Sequence, residues 1–449
     1  MDGSRTVLPE GYVVIEGTRI TKVGSGTPPV VPDARVINAA GCIVTPGLIN
    51  THHHFYQTLT RCYPPAVDAA LFPWLQSLYP VWEGLDAESV RLGTMAAMAE
   101  LLLSGCTMSV DHHYVFPGHA SPELIDVQVK AAQSLGMRFV ATRGSMSLGA
   151  SAGGLPPDSV VQEEATILAD CRRVVEQYHD PDPYAMIQVA LAPCSPFSVT
   201  PKLMEATAAL AEELNVRLHT HLAETEDELD YCRRHYGCTP LDLLRRTGWL
   251  TSRTWLAHGI HFSPSEIESL GAAGVGIAHC PTSNMRLGSG IAPVPALRTA
   301  GCPVGLGVDG SASNDSSNML LEVRQATLLG RLNAGAGGFS IWDSLELATV
   351  GGAACLGRAG ALGVLAPGCA ADIAVFRSNG LAHTGALDAA ASLVLCAPAQ
   401  VAHVFVAGRH VVHDGAIDGL DIPSLRDTHH AEAQRLYHRV QTISLGRRP

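Results

Sequence analysis

The sequence has no basic track. Its 449 residues carry 30 Lys and Arg against 42 Asp and Glu, for a formal charge of −12, and the basic residues never gather into a run. That excludes a nucleic-acid backbone as partner, because such binding rests on clustered cations that displace condensed counterions. A small substrate fits better. Long hydrophobic runs are missing as well: no uncharged apolar run could span a membrane, and Met1-Asp2-Gly3-Ser4-Arg5 lacks the apolar core of a signal peptide. The expectation is a cytoplasmic protein with no membrane partner. Twelve cysteines, from Cys42 to Cys396, follow no regular spacing. A chain of this size needs no disulfide framework, so they read as small buried hydrophobes.

What is present is a globular composition, 47% hydrophobic and 16% charged, organised in two textures. Up to residue 45, short β-like runs (Tyr12-Val13-Val14-Ile15, Ile20-Thr21-Lys22-Val23, Arg35-Val36-Ile37) alternate with turn residues, which predicts a small antiparallel sheet. From Pro46 to about Gly357, apolar strands alternate with long helical patterns, the mark of a parallel sheet covered by helices. Strand candidates fall at 48–54, 107–111, 138–143, 186–192, 216–221, 254–258, 275–279 and 304–309. Helix starts are signalled by Asp86, by Thr239-Pro240 and by the capping box Ser263-Pro264-Ser265-Glu266. Eight such units predict a TIM-type (β/α)8 barrel of the α/β class. β texture returns in Gly363–Gly368, Asp372–Phe376 and Val401–Val406. The expected division is 1–45 and 359–422 as the two parts of a small β-sandwich domain built from both termini, 46–358 as the barrel, and 423–449 as a helical tail.

In a barrel of this kind the active site lies at the C-terminal ends of the strands. Reading those ends as a ring gives His52 and His54, then Asp111-His112-His113-Tyr114, Arg143, and Pro193-Cys194. The ring continues with His219-Thr220-His221 followed by Glu224, then His258, His279 and Asp309. Side chains two apart on a strand share a face, so His52 and His54 point one way and His53 the other. His52, His54, His221 and Asp309 supply three neutral imidazoles and a carboxylate, enough to hold one divalent ion and leave room for water. His219 shares a face with His221, and spacing alone does not choose between them. Glu224, three residues after His221, helps: there a carboxylate could sit beside activated water as base and proton donor. No Lys ends the fourth strand to bridge two metals, which points to a single ion.

The segments Pro46–His54, His221-Leu222-Ala223-Glu224, Leu256-Ala257-His258 and Gly307-Val308-Asp309-Gly310 resemble the amidohydrolase superfamily, in its branch of mononuclear cyclic-amidine deaminases and triazine hydrolases. The resemblance covers nearly the whole chain. It implies His52, His54, His221 and Asp309 as ligands of zinc, or of ferrous iron, with Glu224 as proton shuttle and His258 and Asp309 as partners of the attacking water. It also implies a homo-oligomer. Deaminases built on Pro-Cys-x-x-Cys have another fold, and no Cys-x-x-Cys occurs here.

The side-chain amide of Gln57 can donate to and accept from an amidine or lactam edge. Longer segments, His52–Arg61, Asp111–Tyr114, Thr142–Gly149 and Leu191–Phe197, look most like 8-oxoguanine deaminases. That likeness implies Gln57 as reader of the base, Cys194 beside the C8 oxygen and Tyr114 as a ring contact. The implied reaction is attack of metal-activated hydroxide on C2 of 8-oxoguanine, giving urate and ammonia. Isoxanthopterin, guanine or isocytosine are alternative substrates, and a triazine hydrolase is the alternative activity. Some triazine hydrolases lack the strand-eight carboxylate, so Asp309 favours deamination. Trp74 could close over the site, and Asn284 and Arg286 could form its rim.

Overall fold

The computed structural model describes residue 1 and residues 3–444. β1 (Gly11–Glu16) and β2 (Arg19–Ser25) form an antiparallel hairpin. β3 (Cys42–Pro46) runs straight into β4 (Leu48–Asn50), the first barrel strand. Gly47 makes that passage possible, since a Cβ there would lie 2.2 Å from Thr107 Oγ1. The other barrel strands are β5 (Cys106–His113), β6 (Arg138–Ser145), β7 (Ile187–Pro193), β8 (Arg217–Leu222), β9 (Thr254–His258), β10 (Gly276–His279) and β11 (Val304–Leu306). All eight pair in parallel and in chain order, and β11 closes on β4. β12 (Ile373–Arg377), β13 (Val401–Val406), β14 (Arg409–His413) and β15 (Ala416–Ile417) form an antiparallel sheet whose edge neighbour is β3. Both ends of the chain thus build the small β unit.

Strand interiors are almost wholly buried, as expected where helices cover one face of the barrel and side chains fill the other. The helix Ala87–Leu103 starts at a capping box on Asp86, Pro264–Ala273 at one on Ser263, and Pro240–Arg246 at the Thr239 hydroxyl. The two units are joined by a buried ion pair: Arg138, at the start of β6, donates through Nη2 and Nε to Asp372 just before β12, at 2.8 and 2.9 Å. The helix Ile422–Ser444 lies against the barrel through fully buried Leu436 and a bond between Ser89 Oγ and Glu432 Oε1. Residues 445–449 of the expected tail lie outside the described residues.

Two expected strands are absent. Residues 35–37 make no ladder, and Val36 is 85% exposed; a β-branched run without a neighbour has nothing to pair with. Residues 363–368 form a turn instead, with left-handed Gly363 and Gly368 and a bond from Ala370 N to Ala361 O. The first and last barrel strands are also shorter than expected. After Asn50 the chain keeps single bonds to both neighbours, Thr51 N to Leu306 O, Asp309 N to His52 O and His112 N to His53 O. The regular ladder has ended, but the histidine segment remains tied on both sides.

Candidate active site

The strand ends converge on one narrow cleft. Of the residues named from sequence, His54, Gln57, Tyr114, Cys194, His221, Glu224, His258 and Asp309 line it, and His52 is fully buried beneath. Ala223, His258 and Asp309 all have left-handed backbones (φ 53, 72 and 61), a conformation that non-glycine residues adopt sparingly and that tends to gather at functional sites. Here it turns the chain sharply where strands give way to loops.

The imidazoles are oriented by what their far nitrogens bond. His54 Nδ1 donates to the His112 carbonyl at 2.7 Å, and His221 Nδ1 to the Cys194 carbonyl at 2.7 Å. His219 stacks on Trp255, donates through Nδ1 to the Trp255 carbonyl at 2.9 Å, and accepts from His52 Nδ1 at 2.8 Å. Each of His52, His54 and His221 is left with a bare Nε2 facing Asp309 or its neighbours. Burial holds His52 and His219 well below the ordinary imidazole range and lowers His221 to about 3. They are neutral near pH 7, the form that ligates metal.

Those bare nitrogens crowd together. His54 Nε2 and His221 Nε2 are 3.1 Å apart, and Asp309 Oδ1 is 3.2 Å from His52 Nε2 and 3.3 Å from His54 Nε2. Two lone pairs at 3.1 Å repel, and His52 Nε2 is buried without a hydrogen bond. A shared cation resolves both. The separations suit donors around one ion with bonds of about 2.0–2.1 Å. His52, His221, His258 and Asp309 form one set of ligand-type atoms within 4.8 Å, and His52, His54, His112 and His221 another. His112 donates through Nε2 to the Ala192 carbonyl at 2.9 Å and stacks on His221. His53 faces away and bonds Ser317.

The two cleft carboxylates are driven apart. Burial, then the charge of Asp309, pushes Glu224 well above the usual carboxylate range. Burial alone would raise Asp309 too, but the adjoining imidazoles of His52 and His54 hold it well below. One carboxylate can therefore carry a proton while the other stays ionised, the split that general acid–base chemistry uses. His258 lies between them, Nε2 3.5 Å from Glu224 and 3.9 Å from Asp309, with Nδ1 2.9 Å from Asn284 Oδ1.

Residues 43–411 match the sequence profile of the amidohydrolase family. The chain belongs to the amidohydrolase family. It is 53% identical to the 8-oxoguanine deaminase of Pseudomonas aeruginosa over 95% of this chain and 94% of that one. It is 40% identical to hydroxydechloroatrazine ethylaminohydrolase of a Pseudomonas species, over 86% and 81% of the two chains. Among solved structures, the zinc complex of atrazine chlorohydrolase from Arthrobacter aurescens superposes with a TM-score of 0.89 at 35% identity, covering 94% of each chain.

Around the cleft of this amidohydrolase, Gln57 sits on the turn Phe55–Thr60, whose first amide donates to Asp111 Oδ1 at 2.5 Å. Both amide atoms of Gln57 are buried with no partner. Burial pushes the Cys194 thiol up to about 12, so it is protonated. Trp74 lines the cleft and donates to the Ala312 carbonyl at 3.0 Å. Arg286 is not among the cleft-lining residues and pairs with Asp315 and the Val67 carbonyl. Two supports escaped the sequence reading. Ser313 donates to Asp309 Oδ2 at 3.1 Å, and Glu228 accepts the Ala223 and Glu224 amides, both at 2.9 Å.

Proposed function

We propose that this amidohydrolase is a metal-dependent deaminase of a purine-type base, converting 8-oxoguanine and water into urate and ammonia. The observation that carries this reading is a one-ion donor set beside a buried carboxylate whose raised pKa suits it to take up and hand on a proton, in a chain 53% identical to an 8-oxoguanine deaminase. His52, His54, His221 and Asp309 would hold the ion, most suitably zinc, given their nitrogen-rich set. When bound, a divalent ion lowers the pKa of a water toward neutrality.

The protein's own groups do the rest. Glu224 accepts a proton from that water and delivers it to the ring nitrogen next to C2, making C2 electrophilic. His258, held by Asn284, and ionised Asp309 orient the nucleophile and stabilise the charge that develops as C2 becomes tetrahedral. Asp309 takes the proton left on the new C2 hydroxyl and passes it to the amino group, which leaves as ammonia, while the proton delivered by Glu224 stays on the ring nitrogen. Gln57 reads the amidine edge with one donor and one acceptor, and Cys194 and Tyr114 flank the second ring. We take 46–358 as the catalytic barrel and 1–45 with 359–422 as the supporting unit. The assignment extends to a homo-oligomer in the cytoplasm, which sedimentation and fractionation test.

A triazine hydrolase is the competing reading, favoured by the 40% identical relative. Metal analysis with an ammonia-release panel of 8-oxoguanine, guanine, isocytosine, isoxanthopterin and triazines decides between them. The expected result is about one zinc per chain and fastest release from 8-oxoguanine. Faster release of halide or alkylamine from a triazine would overturn it.

A further inference from the structure

The loops that carry Asn284 and Asp309 are tied together by one buried carboxylate. Glu322, in the first turn of the helix Met319–Ala334, is 1% exposed. Its Oε1 accepts the Thr282 amide at 2.9 Å, and its Oε2 accepts the Thr282 hydroxyl at 2.7 Å and Asn314 Nδ2 at 2.9 Å. Thr282 stands at the start of the short helix Pro281–Arg286 after β10, and Asn284 on that helix bonds His258 Nδ1 at 2.9 Å. Asn314 lies in the turn after β11. Its Nδ2 also donates to the Val308 carbonyl at 2.7 Å, one residue before Asp309, and its neighbour Ser313 donates to Asp309 Oδ2. β10 and β11 are adjacent in the barrel, so Glu322 bridges neighbouring loops. It is not among the cleft-lining residues.

Stability alone gives no reason for a carboxylate here. A buried charge is costly unless it is paired, and among the described residues no cation pairs with Glu322. Burial pushes its carboxyl up to about 7 against three hydrogen bonds that favour the ionised form. What the position requires is two acceptors. The Thr282 amide and Asn314 Nδ2 can only donate, and they meet different oxygens; a glutamine, with one acceptor and one donor, cannot serve both. An ionised carboxylate can, and it thereby fixes the separation of the two loops. That separation sets where His258 stands against Asp309, with Nε2 and Oδ2 3.9 Å apart.

We propose that Glu322 is a positioning residue for the reaction: by clamping Thr282 and Asn314 it holds His258, through Asn284, at its working distance from Asp309. Glu322 itself stays out of reach of the substrate. Two groups that orient one nucleophile lose effect steeply when either shifts by a fraction of an ångström. The inference rests on the deaminase reading above, in which His258 and Asp309 act on the nucleophile, and extends it to the group that spaces them.

The test uses the metal-loaded full chain carrying Glu322→Gln, at about pH 8 so that the native carboxyl, at about 7, is ionised. The substrate is whichever base of the panel the unaltered protein turns over fastest. Turnover number should fall about 10–100-fold, while KM stays within about twofold and the metal stays at about one per chain. Thr282→Val removes one of the three bonds and should lower kcat about three- to tenfold; it decides the matter if the Gln variant does not fold. Placed on Asn284→Ala, which already frees His258, Glu322→Gln should lower kcat by less than about threefold more. A merely structural role would give losses that multiply. Near-normal kcat in loaded Glu322→Gln, or in Thr282→Val where the Gln variant does not fold, would overturn the clamp and leave the deaminase assignment standing. So would multiplied losses on Asn284→Ala, or a loss that shows in KM or metal content instead of kcat. No turnover of any base or triazine in the panel by the unaltered protein would overturn both.

Discussion

The Nε2 atom of His219 lies 2.8 Å from Nδ1 of His52, and that contact decides which nitrogen of His52 faces the cleft. His219 gives its own Nδ1 proton to the Trp255 carbonyl, so its Nε2 can only accept. His52 must then be protonated at Nδ1, which strips its Nε2 for a cation. In the proposed donor set, His219 orients His52, and His221 presents its own bare nitrogen. Replacing His219 by Ala should lower metal affinity by about 10–100-fold, whereas His221→Ala should abolish stoichiometric binding. Competition against a calibrated chelator measures both; the reverse order would exchange the two roles.

Glu224→Gln keeps the shape of the side chain and removes its ability to take a proton. Since Glu224 belongs to neither set of ligand-type atoms, metal content should be unchanged. Turnover should fall by about 10²–10⁴-fold, the usual worth of a positioned general base. Near-normal kcat in a fully loaded variant would refute the shuttle.

Much of this arrangement could be read from sequence because strand ends carry it. Alternation and turn residues place the eight barrel strands, and polar residues at their C-terminal ends have no packing reason to be there. Sequence reasoning failed where a residue acts through another. Glu228 reads as one of three acids in the first turn of a helix, an ordinary complement to the helix dipole; nothing local reveals that it turns inward to hold the Ala223 and Glu224 amides. Residues 35–37 misled for the opposite reason, since a β-branched run states a preference but not a partner.

Gly310 should be intolerant of even a methyl group. A Cβ there would lie 1.8 Å from Gln57 Oε1, so the buried amide would have to move. Gly310→Ala should therefore displace the Gln57 amide, the proposed reader of the base, while leaving metal binding intact. Steady-state kinetics should show KM raised about tenfold or more, the cost of one lost recognition contact, with metal content intact. Loss of metal would mean that the strain runs into Asp309 instead.

The seam between barrel and β unit gives a stability prediction. Asp372 accepts two bonds from buried Arg138 and a third from Ala407 N at 2.8 Å. Asp372→Ala leaves a guanidinium buried without its counter-charge, which should cost about 3–5 kcal/mol in denaturant unfolding. A change below about 1 kcal/mol would mean that Arg138 finds solvent or its carbonyl partners suffice.

Glu228 offers a test of positioning rather than chemistry. Its two oxygens hold the Ala223 and Glu224 amides, at the left-handed turn that aims Glu224 into the cleft. Glu228→Gln exchanges one acceptor for a donor, so one amide must lose its partner and the Glu224 side chain must drift. Turnover should fall by about 10–100-fold, as expected when a reacting group is misplaced by a fraction of an ångström. Placed on Glu224→Gln, the same substitution should change kcat little further, because the carboxylate it positions no longer takes a proton. That non-additivity in a double-mutant cycle marks a residue acting through another. Additive losses would instead give Glu228 a role of its own at the reacting atoms.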